Sequence, residues 1–185
     1  MYDEVVKKAE QNMGKSVENL QNELAALRAG RANPGLLAKV QVDYYGVSTP
    51  LNQVANISAP EARLLLVQPW DRAMLPQIEK AILKSDLGLV PSSDGAVVRI
   101  AIPPLTEERR KEIIKVARKK AEEARVAVRN VRREANDEAK TREKEKGGSE
   151  DETRRTLDEV QKMTDKFIKK IDETLALKEQ EIMEV

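Results

Sequence analysis

The sequence has no cysteine and no histidine, and only one tryptophan and one phenylalanine. Thiolate catalysis, disulfides, Cys/His zinc sites and imidazole acid–base chemistry are excluded together. No apolar run approaches the roughly 18 residues a membrane helix needs. Met1 to Glu10 alternates charge with Val5, Val6 and Ala9 instead of offering the apolar stretch of a signal peptide. The expectation is a soluble cytoplasmic protein with no membrane partner, no cofactor, no metal and no small-molecule substrate, and not an enzyme. Aromatic residues make up only 3% of the chain, so stacking platforms for unpaired bases are not expected either.

Charge is plentiful. Charged residues are 35% and hydrophobic residues 40% of the 185, a balance suited to long solvated helices joined by narrow aliphatic seams. The net charge is only +1, yet it is unevenly placed. Residues 1–33 carry five basic and five acidic groups, residues 34–104 six and six, residues 105–133 eleven and five, and residues 134–185 eleven and sixteen. Such a local basic excess is what a nucleic-acid partner requires when the global charge is near zero.

That excess falls on Thr106 to Lys146, which has the pattern of one uninterrupted helix of roughly 60 Å at 1.5 Å per residue. Ile113, Ala117, Ala121, Ala124, Val128, Val131 and Ala135 recur at spacings of three and four and form a seam. Arg118, Arg125, Arg129 and Arg132 lie within about 60° of one another on a helical wheel, roughly a quarter turn from it. Arg125, Arg129, Arg132 and Arg133 span a window without any acid, so pairing within that window cannot satisfy them. Guanidinium forks suit phosphate oxygens, and phosphate binding is favoured over the alternative of a solvated bundle flank.

In chain order, Tyr2 to Ala29 is a first helix on Val5, Ala9, Met13, Val17, Leu20, Leu24 and Leu27, stopped by Gly30 and Pro34. Gly14-Lys15-Ser16 lacks the glycine a phosphate loop needs at the position of Ala9, so it carries no nucleotide site. Strands are expected over Lys39 to Tyr45 and Leu51 to Ser58, with a turn at Gly46 to Pro50. The run Arg63 to Gln68 suits a strand covered on both faces. Asp71 caps a helix to about Asp86, Gly88 closes it, and Pro91 to Gly95 turns into the strand Ala96 to Ile102. Gly147-Gly148 ends the long helix, and Ser149 to Glu152 is a capping box opening a last helix on Leu157, Val160, Thr164, Phe167, Ile168, Ile171, Leu175 and Ile182.

The fold expected is α+β: a long three-helix bundle from residues 1–30 and 105–185, carrying an inserted β/α/β domain over residues 31–104. Gly30, Arg31, Ala32, Asn33 and Pro34 on the way in, and Pro103, Pro104 and Leu105 on the way out, are a hinge or, alternatively, a rigid proline elbow. A bundle whose seams its own three helices fill predicts a monomer. Two rival functions stand beside RNA binding. One is a metal-dependent enzyme using Asp43, Asp71 and Asp86, although capping explains those positions. The other is a coiled-coil adaptor for protein helices.

Val126-Ala127-Val128-Arg129-Asn130-Val131-Arg132-Arg133-Glu134, preceded by Pro103-Pro104-Leu105-Thr106-Glu107-Glu108-Arg109-Arg110-Lys111, closely resembles the bacterial ribosome recycling factor family. Val42-Asp43-Tyr44-Tyr45-Gly46, Glu79-Lys80-Ala81-Ile82, Ser85-Asp86-Leu87-Gly88-Leu89 and Gly30-Arg31-Ala32-Asn33-Pro34 extend the resemblance over essentially the whole chain. It implies an L-shaped molecule that splits the post-termination ribosome together with elongation factor G and GTP. The bundle would lie against large-subunit ribosomal RNA. By the same resemblance Arg129 and Arg132 contact RNA; Arg110, Arg125 and Arg133 follow by proximity, and Arg28 and Arg31 as basic residues beside the hinge. Lys146-Gly147-Gly148-Ser149 departs from the family pattern, which raises the expectation of a loosened hairpin tip.

Overall fold

The computed structural model describes residues 1–27 and 29–184, in two compact units. One is Met1–Ala29 with Glu107–Val185, the other Gly30–Thr106.

The first unit is three helices, α1 (Tyr2–Ala26), α3 (Glu107–Glu143) and α4 (Glu150–Met183), with α2 belonging to the second unit. The buried residues of α3 are mostly small, Ala117, Ala121, Ala124, Ala135 and Ala139 with Ile113 and Val128. Small residues on the longest helix let the other two approach it closely, and the bulk is supplied from their side: Met13, Leu20 and Leu24 from α1, Val160 and Ile171 from α4. Three threonines of α4 are buried as well. Thr164 satisfies its hydroxyl on the carbonyl of Val160 at 2.7 Å, which makes it tolerable in the seam.

α1 is shorter than its apolar pattern suggests. It ends at Ala26, and Leu27 leaves in an extended conformation (φ −76°, ψ 125°). Gly30, at φ +77°, lies three residues beyond that cap and does not form it. At the opposite end of the bundle the expectation of a loose tip is corrected. Gly147 adopts φ +91°, and a Cβ on Gly148 would run into the carbonyl oxygens of Glu143 and Arg142. Ser149 then caps α4 by accepting from the Glu152 amide, and the hydroxyl of the buried Tyr2 donates to the Ser149 carbonyl and receives a bond from Thr153 Oγ1 at 3.0 Å. The two glycines permit a close turn that three polar contacts then hold.

The second unit contains a two-stranded hairpin, β1 (Gln41–Tyr44) with β2 (Val47–Pro50), and an antiparallel sheet in the order β3-β4-β6-β5. Its strands are β3 (Ala55–Glu61), β4 (Leu64–Pro69), β5 (Pro91–Ser93) and β6 (Val98–Ala101). Val47–Pro50 and Pro91–Ser93, expected as turns, are short strands; the hairpin turn itself is Tyr45-Gly46. Both turn residues have positive φ, 49° and 88°, as a two-residue hairpin of this hand demands. Helix α2 (Leu75–Lys84) sets Leu75, Ile78 and Ile82 against Leu65, Val67, Val98 and Ile100 of the sheet.

β4 is not covered on both faces. Leu65 and Val67 are fully buried, whereas Leu64 and Leu66 are half-buried, and Arg99, the partner of Leu66 on β6, is exposed. The consecutive leucines reflect one packed face and one partly wet face.

Candidate nucleic-acid interface

Arg118, Arg125 and Arg132 of α3 each reach a residue of α4, and the surroundings of the α3 arginines divide them. Arg118 bonds Glu179 of α4 at 2.6 Å, which holds its guanidinium above the usual arginine range. Arg125 is the most enclosed, its side chain 20% exposed. Its Nη2 stands 2.7 Å from Asp172 Oδ1 on α4, and its Nη1 3.0 Å from Glu122 Oε2 one turn back. Burial works against its charge, but the bonds to Asp172 and Glu122 outweigh it and raise its pKa. Acids outside the acid-free window, one of them on another helix, therefore satisfy part of a set that looked unsatisfiable within it.

Further along, the pairing thins. Arg129, 40% exposed, shares Glu122 at 3.5 Å, and Arg132 touches Gln161 of α4 at 3.5 Å through Nη1. Arg133 is exposed and has no ion-pair or hydrogen-bond partner among the described residues. Arg129, Arg132 and Arg133 thus stand within about one helical turn with most of their donors unspent. A surface guanidinium loosely held by one acid can exchange that partner for a phosphate, because an exposed pair is worth only about 0–1 kcal/mol.

The other expected residues lie elsewhere. Arg110 is on α3 but 19 positions before Arg129, roughly 28 Å along the axis, and its Nε is buried without a partner among the described residues. Arg31 is exposed and belongs to the second unit. Arg28 lies outside the described residues.

The expected hinge residues are all in the second unit, and several are tied down. Ala32 donates to the Ala62 carbonyl at 2.6 Å, and Ile102 to the Arg63 carbonyl at 2.8 Å. A Cβ on Gly30 would come within 2.9 Å of Leu105 Cγ, so the two chain crossings touch there. Asn33 Oδ1 accepts from Gly35 at 2.9 Å and caps the 3-10 turn that Pro34 begins. Pro103 and Pro104 are exposed.

Two of the three aspartates proposed as alternative metal ligands, Asp43 and Asp71, are engaged in turns. Asp43 accepts from the Gly46 amide at 2.8 Å, and Asp71 accepts from Ala73 and from the Tyr45 hydroxyl. Among the described residues no group of three His, Cys, Asp or Glu stands together as a metal set.

Two features escaped the sequence reading. The first is aromatic. Tyr45 is 71% and Trp70 69% exposed in the second unit, and Tyr44 meets Tyr45 edge to face with centroids 4.8 Å apart. Exposed aromatic side chains, expected to be missing, are present in the second unit. The second is Lys178, buried in α4 seven positions after Ile171 and four before Ile182, in register with the seam. A lysine at a seam position is a signal that was available in the sequence.

The ribosome recycling factor family model matches residues 20–183. A ribosome-recycling factor of Carboxydothermus hydrogenoformans is 60% identical over 185 residues, covering all of both chains. One from Moorella thermoacetica is 65% identical over the same span, again covering both chains in full. Among solved structures, a solution structure of the ribosome recycling factor superposes with a TM-score of 0.71 at 46% identity, over 100% of this chain and 98% of the other. A second neighbour, from models for the T. thermophilus ribosome recycling factor and the E. coli elongation factor G bound to the E. coli post-termination complex, gives 0.62 at 52% identity, with both chains fully covered. With the family pattern matched along nearly its whole length and carried on the fold of its solved relatives, the chain belongs to the ribosome recycling factor family.

Proposed function

We propose that the protein, with elongation factor G and GTP, separates the post-termination ribosome into its subunits and frees mRNA and tRNA for a new round of translation. The observation that carries the RNA-binding part of this reading is the group Arg129, Arg132 and Arg133, whose guanidinium donors are largely unspent while Arg118 and Arg125 are engaged by α4. The engaged pair stiffens the α3–α4 flank, and the three more loosely held arginines take hold of ribosomal RNA phosphates of the large subunit. Phosphate contacts fix position without reading sequence, which suits a factor that must seat on one folded RNA surface.

The helical unit is the anchored part and the small unit the part that receives the push of the translocating GTPase. A helix such as α3, 37 residues and about 55 Å long, carries force along its axis without bending at a flexible joint. The chain's own work is binding and transmission; the chemical free energy comes from GTP hydrolysis on elongation factor G.

The test is binding to isolated large ribosomal subunits across a salt series, for the parent, Arg129→Ala and Arg132→Ala. Each substitution is expected to weaken binding and to flatten the slope of log affinity against log salt by about 0.7–0.9 per lost phosphate contact. Unchanged affinity and slope in a folded protein overturn the RNA-anchored reading.

A further inference from the structure

Lys178 is 7% exposed, and lysine is rarely buried to that degree unless its ammonium is paired. Its Nζ donates to the carbonyl of Leu27 at 2.8 Å and stands 3.5 Å from Glu181 Oε2 on its own helix. Leu27 is the C-cap of α1, the residue at which the helix gives way to extended chain. The last carbonyls of a helix have no intrahelical donor and sit at the negative end of its dipole. α1 has no basic residue in its own last turn, so α4 supplies across the bundle the cation that α1 lacks.

This contact sits directly before the first crossing between the units. On the far side of that crossing, Ala32 is already bonded to Ala62 within the small unit. Tertiary hydrogen bonds thus tie the crossing down at Leu27 in one unit and at Ala32 in the other, with few residues between.

We propose that Lys178 is a positioning residue that sets where the helical unit ends, fixing at Leu27 the point from which the first crossing starts. The proposal rests on the reading of the crossings as a hinge. Without the ammonium, the last turn of α1 unwinds, the crossing lengthens at the expense of the helix, and a push on the small unit is absorbed in slack instead of reaching the bundle.

The experiment uses the full chain, in which the absence of native cysteine makes labelling at Gln11→Cys and Ser92→Cys unambiguous. Pulsed electron resonance then gives the distribution of distances between the units. Lys178→Met, which keeps the side chain's bulk and removes its charge, is expected to widen that distribution about twofold and to lower the recycling rate several-fold. Large-subunit affinity should change by less than about twofold, because the arginine edge is untouched. Lys178→Arg is expected to restore most of the parent width. A lowered melting temperature with an unchanged, broad distribution overturns the positioning role and leaves the hinge standing; a single narrow distance in the parent overturns both. Amide hydrogen exchange on the parent is a check that needs no variant: protection should hold to Leu27 and drop abruptly after it. Fraying that begins gradually near Leu20 overturns the proposal.

Discussion

The Tyr45 hydroxyl donates to Asp71 Oδ2 at 2.7 Å, joining the tip of the β1–β2 hairpin to the residue that caps the turn into α2. A tyrosine at positive φ is an uncommon choice for a hairpin turn, and this bond gives the ring a fixed place. The hydrogen bond from Tyr45, followed by that from the Ala73 amide, holds the Asp71 carboxyl below the usual carboxylate range. The bond to Asp71 and its negative charge in turn push the Tyr45 phenol up. A depressed acid stabilises the fold above its unfolded pKa, about 3.9, and loses that contribution as pH falls through the folded value. A raised phenol contributes below its unfolded value of about 10 and loses the contribution as pH rises beyond it. Carboxyl NMR titration of Tyr45→Phe should therefore show Asp71 titrating higher than in the parent. In a spectrophotometric titration the variant should also lose a phenol ionisation lying above the ordinary tyrosine value.

Arg125 and Arg132 should separate by what their loss affects. Arg125→Ala removes a link between α3 and α4 and leaves Asp172 unpaired, at a cost of about 1 kcal/mol in urea denaturation after allowance for solvent screening. Its salt slope for large-subunit binding should stay close to the parent's. Arg132→Ala, with only a 3.5 Å contact to Gln161, should leave stability within about 0.5 kcal/mol and change the slope instead. Equal effects of both variants on the slope would place Arg125 on the RNA as well.

The hairpin tip predicts an order among glycine substitutions. Gly148→Ala drives a methyl into the carbonyls that end α3, for which about 1–3 kcal/mol of destabilisation is expected. Gly147→Ala meets open space and should cost about 1–2 kcal/mol through its left-handed backbone alone. Urea unfolding of the two variants against the parent checks both the order and the conclusion that the tip is closely built.

Tyr2→Phe deletes the hydroxyl that gathers Ser149 and Thr153 at the start of α4. The predicted loss is about 1 kcal/mol, and thermal unfolding followed by circular dichroism would detect it. Thr153→Val should cost less in the Tyr2→Phe background than in the parent, because the contact between the two hydroxyls is already gone.

The bundle was legible because periodicity reports burial directly: Ile113 through Ala135 reads as a seam in the sequence and is one in the structure, save that Val131 is only half-buried. The end of α1 was less so. Leu27 continues the apolar spacing and Gly30 has the right chemistry for a stop, but the helix yields earlier, and its cap is held by Lys178, distant in sequence and invisible to any local rule. The same limit explains the arginines. An acid-free window says nothing about Asp172 or Glu179, whose approach depends on how two helices register. In the small unit, three-residue and four-residue strands offer too few alternations to be told from turns, and the leucines of β4 could not reveal that only one side of the sheet would be covered.

Trp70 is the only tryptophan of the chain, it lies in the second unit, and its indole is mostly in water. Its emission in the folded state should already be that of a wet indole, so unfolding will scarcely change its colour, whereas anything coming to rest on that face will turn it blue. The molecule therefore carries a built-in optical label that is nearly silent toward its own folding and responsive to company.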